Sequence, residues 1–472
     1  MRVLFLATYF PRPLNPTIGT WALVQAKALK RASTEAPLRV AGSKLRVTSG
    51  EAGGAPATSS PQPVTSFRVV SGNPWFPKIA GKLKPGIRVY SDCSRSHSWD
   101  GVAVDYLPML FYPFGKLDAI FNRVGESMLQ LGWLSIKGRL MKIVEEFQPD
   151  VVYAHHTVPN GYFAFRIHKL TGIPFVVTDH EMGEITACEI FPARRAVYEK
   201  VIGTAHRMVS VAGVMRKDME RVFPEARCEV IHNGMNLAQA PKESRGESRE
   251  TRVAPASTPA TRNSLPASAP EAPPLVILSC GMFYERKNFP GLIQAFNLVA
   301  EKYPNVVLRI FGDGPDRIKV EQARDASPFK DRIKMLGKVS HAEVLQQMQE
   351  ADLFALIGWR EPFATVFLEA MAAGLPVIAC NDGGIAEVIH SADAPALDAG
   401  RSTLDAPQPN GLLVPPRDIP AAARALEFLI LNPEARKQIG EAARKKIEAD
   451  LSWDAVTRKY LELFEEARRS SG

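Results

Sequence analysis

The sequence predicts an α/β protein with two domains, each built on a parallel sheet. Three observations lead there. Short apolar or β-branched runs alternate with helical patterns in two successive series, the signature of parallel βαβ units. The 472 residues exceed what one core of ordinary size organises. A tract over residues 238–274, rich in Pro, Ala, Ser, Thr and Arg and without an aromatic residue, separates the two series and cannot support a packed core.

In the first series strands are predicted over 3–8, 68–70, 151–154, 175–178, 208–211 and 229–231. The second series places them over 275–280, 306–311, 333–336, 353–357, 376–379 and 411–414. Domains are therefore expected at 1–237 and 275–452, with 238–274 as a disordered linker. Two more tracts, 33–65 and 391–409, have the composition of poorly ordered surface insertions. Over 433–469, Ile439, Ala443, Ile447, Trp453, Val456, Tyr460, Leu463 and Phe464 recur at helical spacing, an apolar stripe that needs a partner surface.

Composition sets the class. Apolar residues at 46% and charged residues at 23% are those of a globular protein. The net charge of +8 favours anions, whether sugar nucleotides, nucleic acid or phospholipid headgroups, and does not choose among them. Cys93, Cys188, Cys228, Cys280 and Cys380 are dispersed and odd in number, which argues against a disulfide framework or zinc site and fits a reducing cytosol. The apolar run at the N-terminus is too short for a signal peptide and reads as a first buried strand. No stretch approaches the roughly 20 apolar residues of a membrane span, so membrane contact is expected to be peripheral.

The chemistry is expected around Glu361 and Glu369. A strand ends at 357, a loop carries Glu361, a helix starts near Thr365, Gly374 stops it and Pro376 opens the next strand. The two carboxylates thus flank a helix start at the carboxyl end of a parallel strand, where open α/β sheets bind ligands. Backbone N–H groups of Phe363, Ala364 and Thr365 suit an anion such as phosphate, and the carboxylates accept hydrogen bonds from sugar hydroxyls. Taken alone, Glu369 reads equally well as a solvated carboxylate on a helix face.

The whole block 359–377 resembles the E-x7-E signature of the retaining glycosyltransferases of family 4, whose GT-B fold is two Rossmann-like domains facing a cleft. The resemblance covers most of the chain outside the three biased tracts. It includes Tyr9-Phe10-Pro11 and Gly19-Thr20-Trp21, the strand entries 148–156 and 172–180, the turn 230–236, the turn 280–288 and Gly312-Asp313-Gly314-Pro315. It implies that Gly19 lets the backbone approach the donor phosphates and that His180 lies over the transferred sugar. It implies that Gly281, Arg286 and Lys287 belong to a diphosphate-binding turn, that Glu361 holds donor-sugar hydroxyls and that Glu369 holds the ribose. The helix after 453 is expected to cross back to the first domain. Two departures stand out: Met282 occupies a place where arginine is usual, and Ala364 replaces a common glycine. His155 and His156 equally line the cleft or bond to backbone, and neither they nor His180 have metal-ligand spacing.

The implied activity is retaining hexosyl transfer from a nucleotide-diphosphate sugar, without metal or other cofactor, to a glycan or lipid-linked acceptor in cell-surface glycan or glycolipid assembly. The second domain would hold the donor and the first the acceptor. Nucleic acid is not an expected partner. A cytoplasmic enzyme docking on the inner face of the membrane is expected from the basic balance and the segments 77–85 and 128–144, although 128–144 reads equally as a core helix. Other classes are a sugar-nucleotide-binding protein without turnover and a sugar-nucleotide epimerase of the same fold. A nicotinamide oxidoreductase is disfavoured, since the G-x-G-x-x-G fingerprint is incomplete.

Overall fold

A computed structural model describes residues 1–7, 9–12, 19–34, 66–76, 96–110, 116–237, 273–391 and 408–470. The segment 77–85 and almost all of the three biased tracts lie outside the described residues. The chain divides into two compact units: unit 1 is Met1–Val211, Met215–His232 and Trp453–Gly472, and unit 2 is Ala212–Val214 and Asn233–Ser452.

Unit 1 is built on an eight-stranded sheet of β1 (Arg2–Ala7), β2 (Ser66–Pro74), β3 (Ser96–Trp99), β4 (Val102–Met109), β5 (Val151–His155), β6 (Phe175–Asp179), β7 (Arg207–Ser210) and β8 (Cys228–Val230). The spatial order is β3-β4-β2-β1-β5-β6-β7-β8. All pairings are parallel except β3 with β4, an antiparallel edge that the sequence did not signal. Its helices are α1 (Thr20–Thr34), α2 (Lys116–Val124), α3 (Glu126–Phe147), α4 (Tyr162–Thr171), α5 (Met182–Ala187), α6 (Pro192–Thr204) and α7 (Gly213–Val222), whose first two residues fall in unit 2. Strands β5 and β6 are buried along their whole length, as expected of parallel strands covered on both faces.

The two-residue period of β1 divides the core. Leu4 and Leu6 face the side where α3 buries Met128, Leu129, Trp133, Ile136 and Leu140. Val3, Phe5 and Ala7 face the other side, with α1 and the helix Trp453–Arg469. The segment 128–144 is thus a core helix, from which Leu131 and Leu134 alone among its large apolar side chains stand exposed, at 50% and 65%.

Unit 2 carries β9 (Leu275–Cys280), β10 (Val306–Phe311), β11 (Ile333–Gly337), β12 (Leu353–Leu356), β13 (Val377–Cys380) and β14 (Leu412–Val414), all parallel, in the order β11-β10-β9-β12-β13-β14. Its helices are α8 (Phe289–Ala300), α9 (Arg317–Asp325), α10 (His341–Glu350), α11 (Val366–Ala372), α12 (Ile419–Leu431) and α13 (Pro433–Asp450). Side-chain oxygens of Asn288, Ser340 and Asp418 accept from backbone N–H groups at the starts of α8, α10 and α12. The single stripe read over 433–469 is two helices: α13 stops at Asp450, and α14 (Trp453–Arg469) joins unit 1. On α14, Tyr460 and Phe464 set their rings 5.3 and 5.1 Å from that of Tyr153 on β5.

Both sheets reverse their strand order beside the first strand of the unit, between β1 and β5 and between β9 and β12. The carboxyl ends of those strands are where a doubly wound sheet leaves a crevice.

Candidate active site

In unit 2 the turns after β9 and β12 meet. Gly358, just after β12, makes that approach possible, since a Cβ there would lie 2.8 Å from the Arg286 carbonyl oxygen; Gly312, with φ +147°, likewise lets the turn after β10 reach the β9 turn, where a Cβ would lie 1.9 Å from the Gly281 carbonyl oxygen. Asn288 takes a left-handed φ of 52° and turns the chain from the 3-10 turn Glu285–Lys287 into α8. Trp359 N–H donates to the Arg286 carbonyl at 2.8 Å, tying the β12 turn to the β9 turn. Gly384 N–H donates to the Glu361 carbonyl at 3.0 Å, and a Cβ on Gly384 would strike the Pro362 oxygen at 1.9 Å.

These contacts aim three of the expected site residues at one another. Lys287 Nζ donates to Glu361 Oε2 and Arg286 Nε to Glu361 Oε1, both at 2.8 Å. Glu361 is 6% exposed and the Lys287 side chain 11%, whereas the Arg286 side chain is half exposed. A nearly buried carboxylate thus carries two cations, and the pair leaves net positive charge at the strand edge.

Beside this pair a cavity of about 610 Å³ opens at the ends of β9, β10 and β11, walled by 280–282, 311–314, 337–339 and Val344. Gly281 belongs to that wall, and so does Met282, which brings an apolar side chain where the resemblance expects a cation. Glu369, on α11, accepts from His341 Nε2 at 3.0 Å. That hydrogen bond raises the His341 pKa against the opposing effect of burial. Cys280 is pushed up to about 12 by burial and then by the negative charge of Glu369, so the Glu369 field reaches the cavity wall. Nothing in the sequence singles out His341. It lies 28 residues from Glu369, in no recognisable motif.

The helix starts beside Thr365, as expected. α11 runs seven residues from Val366, and Thr365 stands in front of it without a side-chain capping bond. Phe363 and Ala364 are each 7% exposed, and Thr365 is exposed.

In unit 1, Gly19 has φ +64° and packs on the segment leaving β1. A Cβ there would lie 2.3 Å from the Tyr9 carbonyl carbon, so only glycine fits. Two residues on, the Trp21 ring lies 4.4 Å from that of His180, centroid to centroid. His155 and His156, left open by the sequence, both join this group, their centroids 5.1 and 5.5 Å from His180. His155 Nε2 lies 2.9 Å from the Tyr153 hydroxyl, and His156 Nδ1 lies 3.7 Å from Asp179 Oδ1. Asp179 is fully buried and accepts from Thr157 Oγ1 at 2.8 Å and from the His180 N–H at 2.9 Å. Among the described residues no group of three or more His, Cys, Asp or Glu side chains is placed to hold a metal ion.

The comparisons with known proteins agree with two doubly wound domains of this kind. Residues 117–239 match "Glycosyltransferase Family 4" and residues 262–446 match "Glycosyl transferases group 1". The chain is a glycosyltransferase of the GT-B type. Within that class it belongs with family 4, the family to which its first domain matches. Glycogen synthase of Mycobacterium tuberculosis is 24% identical over 356 residues, 73% of this chain and 75% of that one. The lipopolysaccharide core biosynthesis glycosyltransferase LpsD of Rhizobium meliloti is 26% identical over 354 residues, 74% of this chain and 83% of that one. Among solved structures, sucrose-phosphate synthase from Thermosynechococcus elongatus superposes with a TM-score of 0.65 at 16% identity, covering 100% of both chains. HepE of Anabaena, solved in complex with UDP, superposes with a TM-score of 0.60 at 17% identity, covering 98% of this chain and 99% of that one.

Proposed function

We propose that the protein transfers a hexosyl group from a nucleotide-diphosphate sugar to a glycan or lipid-linked acceptor, with retention of configuration, in glycan or glycolipid assembly. The observation that carries this reading is the Glu361 carboxylate gripped by Lys287 and Arg286 beside the 610 Å³ cavity. A nucleoside fits that cavity in size and in its wall of glycines and apolar side chains with Asp313 and Lys338 as charged groups. Glu369, held by His341, supplies carboxylate oxygens to the ribose hydroxyls. HepE, which shares the fold, was solved with UDP, and that supports a nucleotide as ligand.

The departing diphosphate gains negative charge as the glycosidic bond breaks. Lys287 and Arg286 meet that charge, a task that elsewhere falls to a divalent metal ion. Glu361, relieved of part of its pairing by the phosphates, accepts from donor-sugar hydroxyls, and the leaving phosphate oxygen takes the acceptor proton. Gly19, Phe363, Ala364 and Thr365 keep the donor-binding roles that the resemblance gives them, and His180 keeps the role toward the transferred sugar that it implies. No helix among the described residues is long and apolar enough to cross a membrane. Contact with an anionic bilayer would be peripheral, through exposed Leu131 and Leu134 of α3 with Lys137 beside them.

One observation favours a second reading, a sugar-nucleotide binder without turnover: Met282 leaves the cavity wall one cation short of the family pattern. Calorimetry with UDP-, GDP- and ADP-sugars tests donor binding, and product analysis with and without added acceptor tests transfer. Binding of none of the three overturns the proposal. Binding without turnover selects the second reading, and an altered sugar formed without acceptor selects an epimerase.

A further inference from the structure

The carboxyl edge of the unit 1 sheet gathers three imidazoles around one buried carboxylate. His155 is fully buried and His156 is 7% exposed. Trp21 stacks on His155 at 4.7 Å and Tyr9 meets the edge of His156 at 5.8 Å, so the group is walled by aromatic rings. Nε2 of His156 and Nε2 of His180 are both buried and have no hydrogen-bond partner among the described residues. With ring centres about 5 Å apart in surroundings of low polarity, two imidazolium ions would repel strongly, so the cluster holds one proton at a time.

Geometry decides which ring takes it. Among the described residues only His156 brings a ring nitrogen close to Asp179, at 3.7 Å, and Asp179 also accepts from Thr157 Oγ1 and the backbone N–H groups of His180 and Glu181. Burial opposes a charge on His156, yet Asp179, with Glu181 and Glu184 beyond it, raises its pKa. His180 faces the same carboxylate less directly: burial, then the charge of His156, takes it down to about 3 against the pull of Asp179. His155 is driven well below the ordinary range by burial and then by His180 and His156. Asp179 itself stays ionised, because His156, Thr157 and His180 outweigh its burial. His156 also sits at φ +65°, a backbone conformation that a non-glycine residue keeps only where its surroundings impose it.

We propose that His156, braced by Asp179, is the positioning residue that carries the cluster's one positive charge and so keeps His180 neutral. The division of labour follows a general pattern in which neighbouring titratable groups are pushed apart so that each keeps one state. The role of His180 rests on the function proposed above, but the placement of the proton does not.

The experiment is an NMR titration of the imidazole ¹⁵N signals of the full-length protein between about pH 5 and 8, for wild type, His156→Gln and Asp179→Asn. In wild type one buried imidazole, absent from His156→Gln, titrates above the ordinary histidine value, and His180 shows no titration. Since His180 is proposed to act in its neutral form, the acid limb of the kcat profile in His156→Gln should move up with the His180 midpoint. In Asp179→Asn the His156 midpoint moves down, and in His156→Gln the His180 midpoint moves up. A His180 signal titrating near the ordinary value in wild type overturns the proposal, as does a His156 midpoint unchanged in Asp179→Asn. Should Asp179→Asn not fold, wild type and His156→Gln decide. Failure of all three sugar nucleotides to bind would leave this titration result standing and count only against the transferase reading.

Discussion

Replacing Lys287 by alanine removes one of the two cations on Glu361, and two separable losses follow. The first is in stability. Glu361 is 6% exposed, and its remaining partner Arg286 is half exposed, so the carboxylate keeps one screened contact. Stripping every partner from a buried charge costs about 3–5 kcal/mol; with Arg286 retained, the loss is nearer that of one charge-assisted hydrogen bond, about 1.5–3 kcal/mol. In a domain the size of unit 2 that lowers Tm by about 3–12 °C. The second loss is in donor binding, where the same cation faces the diphosphate: a further 1.5–3 kcal/mol corresponds to a roughly 10- to 150-fold rise in Kd. Scanning calorimetry reads the first and titration calorimetry with UDP-glucose, or whichever sugar nucleotide binds, reads the second. Lys287→Arg keeps the charge and should recover Tm more fully than affinity, because a guanidinium does not reproduce the compact ammonium. A variant with lowered Tm and a Kd within about twofold of wild type would refute the reasoning and make Lys287 a clamp for Glu361 alone.

His341→Ala should weaken donor binding by about 2- to 10-fold, the worth of one partly screened hydrogen bond, and His341→Gln, which keeps a donor near the same place, should restore most of it; equal losses in both would remove the positioning role. Since the His341 pKa is raised in the fold, its stabilising contribution is complete below about pH 6.5 and is lost as pH climbs through the folded pKa; the Tm gap between wild type and His341→Gln should therefore close toward alkaline pH, and a gap that widens contradicts the pairing. Turnover should persist in EDTA, and loss restored by manganese or magnesium would count against Lys287 and Arg286 as the groups that meet the leaving-group charge. Anionic liposomes should sediment the wild-type protein and neutral ones should not, with Leu131→Asp plus Leu134→Asp reducing the effect; protein left in the supernatant with both lipids would make the exposed leucines an ordinary surface.

The strands legible in the sequence are those whose burial leaves no polar gap. β9 and β10 match the expected ranges residue for residue because Leu-Val-Ile-Leu-Ser-Cys and Val-Val-Leu-Arg-Ile-Phe read as near-continuous apolar runs. β4 was not found: Asp105 and Pro108 interrupt it, and it forms because it pairs with β2 and buries Val104 and Tyr106. β3, Ser-His-Ser-Trp, is a four-residue edge whose one apolar residue, Trp99, is too little to mark a strand. The break between α13 and α14 falls at Leu451–Ser452, where a separate helix is already expected from Trp453, although no glycine or proline marks the place. At the site, the strand–loop–helix block brought out Glu361 and Glu369, and the family resemblance of the turn 280–288 brought out Arg286 and Lys287. Their pairing depends on the left-handed turn at Asn288 and on the Trp359 to Arg286 backbone bond, which fix side-chain directions that spacing does not encode. His341 and His156 act through contacts made only in three dimensions.

The route of the chain has a consequence for biosynthesis. One layer of the unit 1 core is α14, whose Tyr460 shares a hydrogen bond with Thr178 of β6 at 3.2 Å, yet roughly 220 residues of unit 2 separate it from the rest of that unit. At ribosomal rates of about 5–20 residues per second, the half-covered sheet waits roughly 10–40 s for its missing helix. During that interval Phe5, Tyr153 and Val176 lack part of their cover, and the nascent first domain is a candidate client for chaperones until the last helix emerges from the exit tunnel.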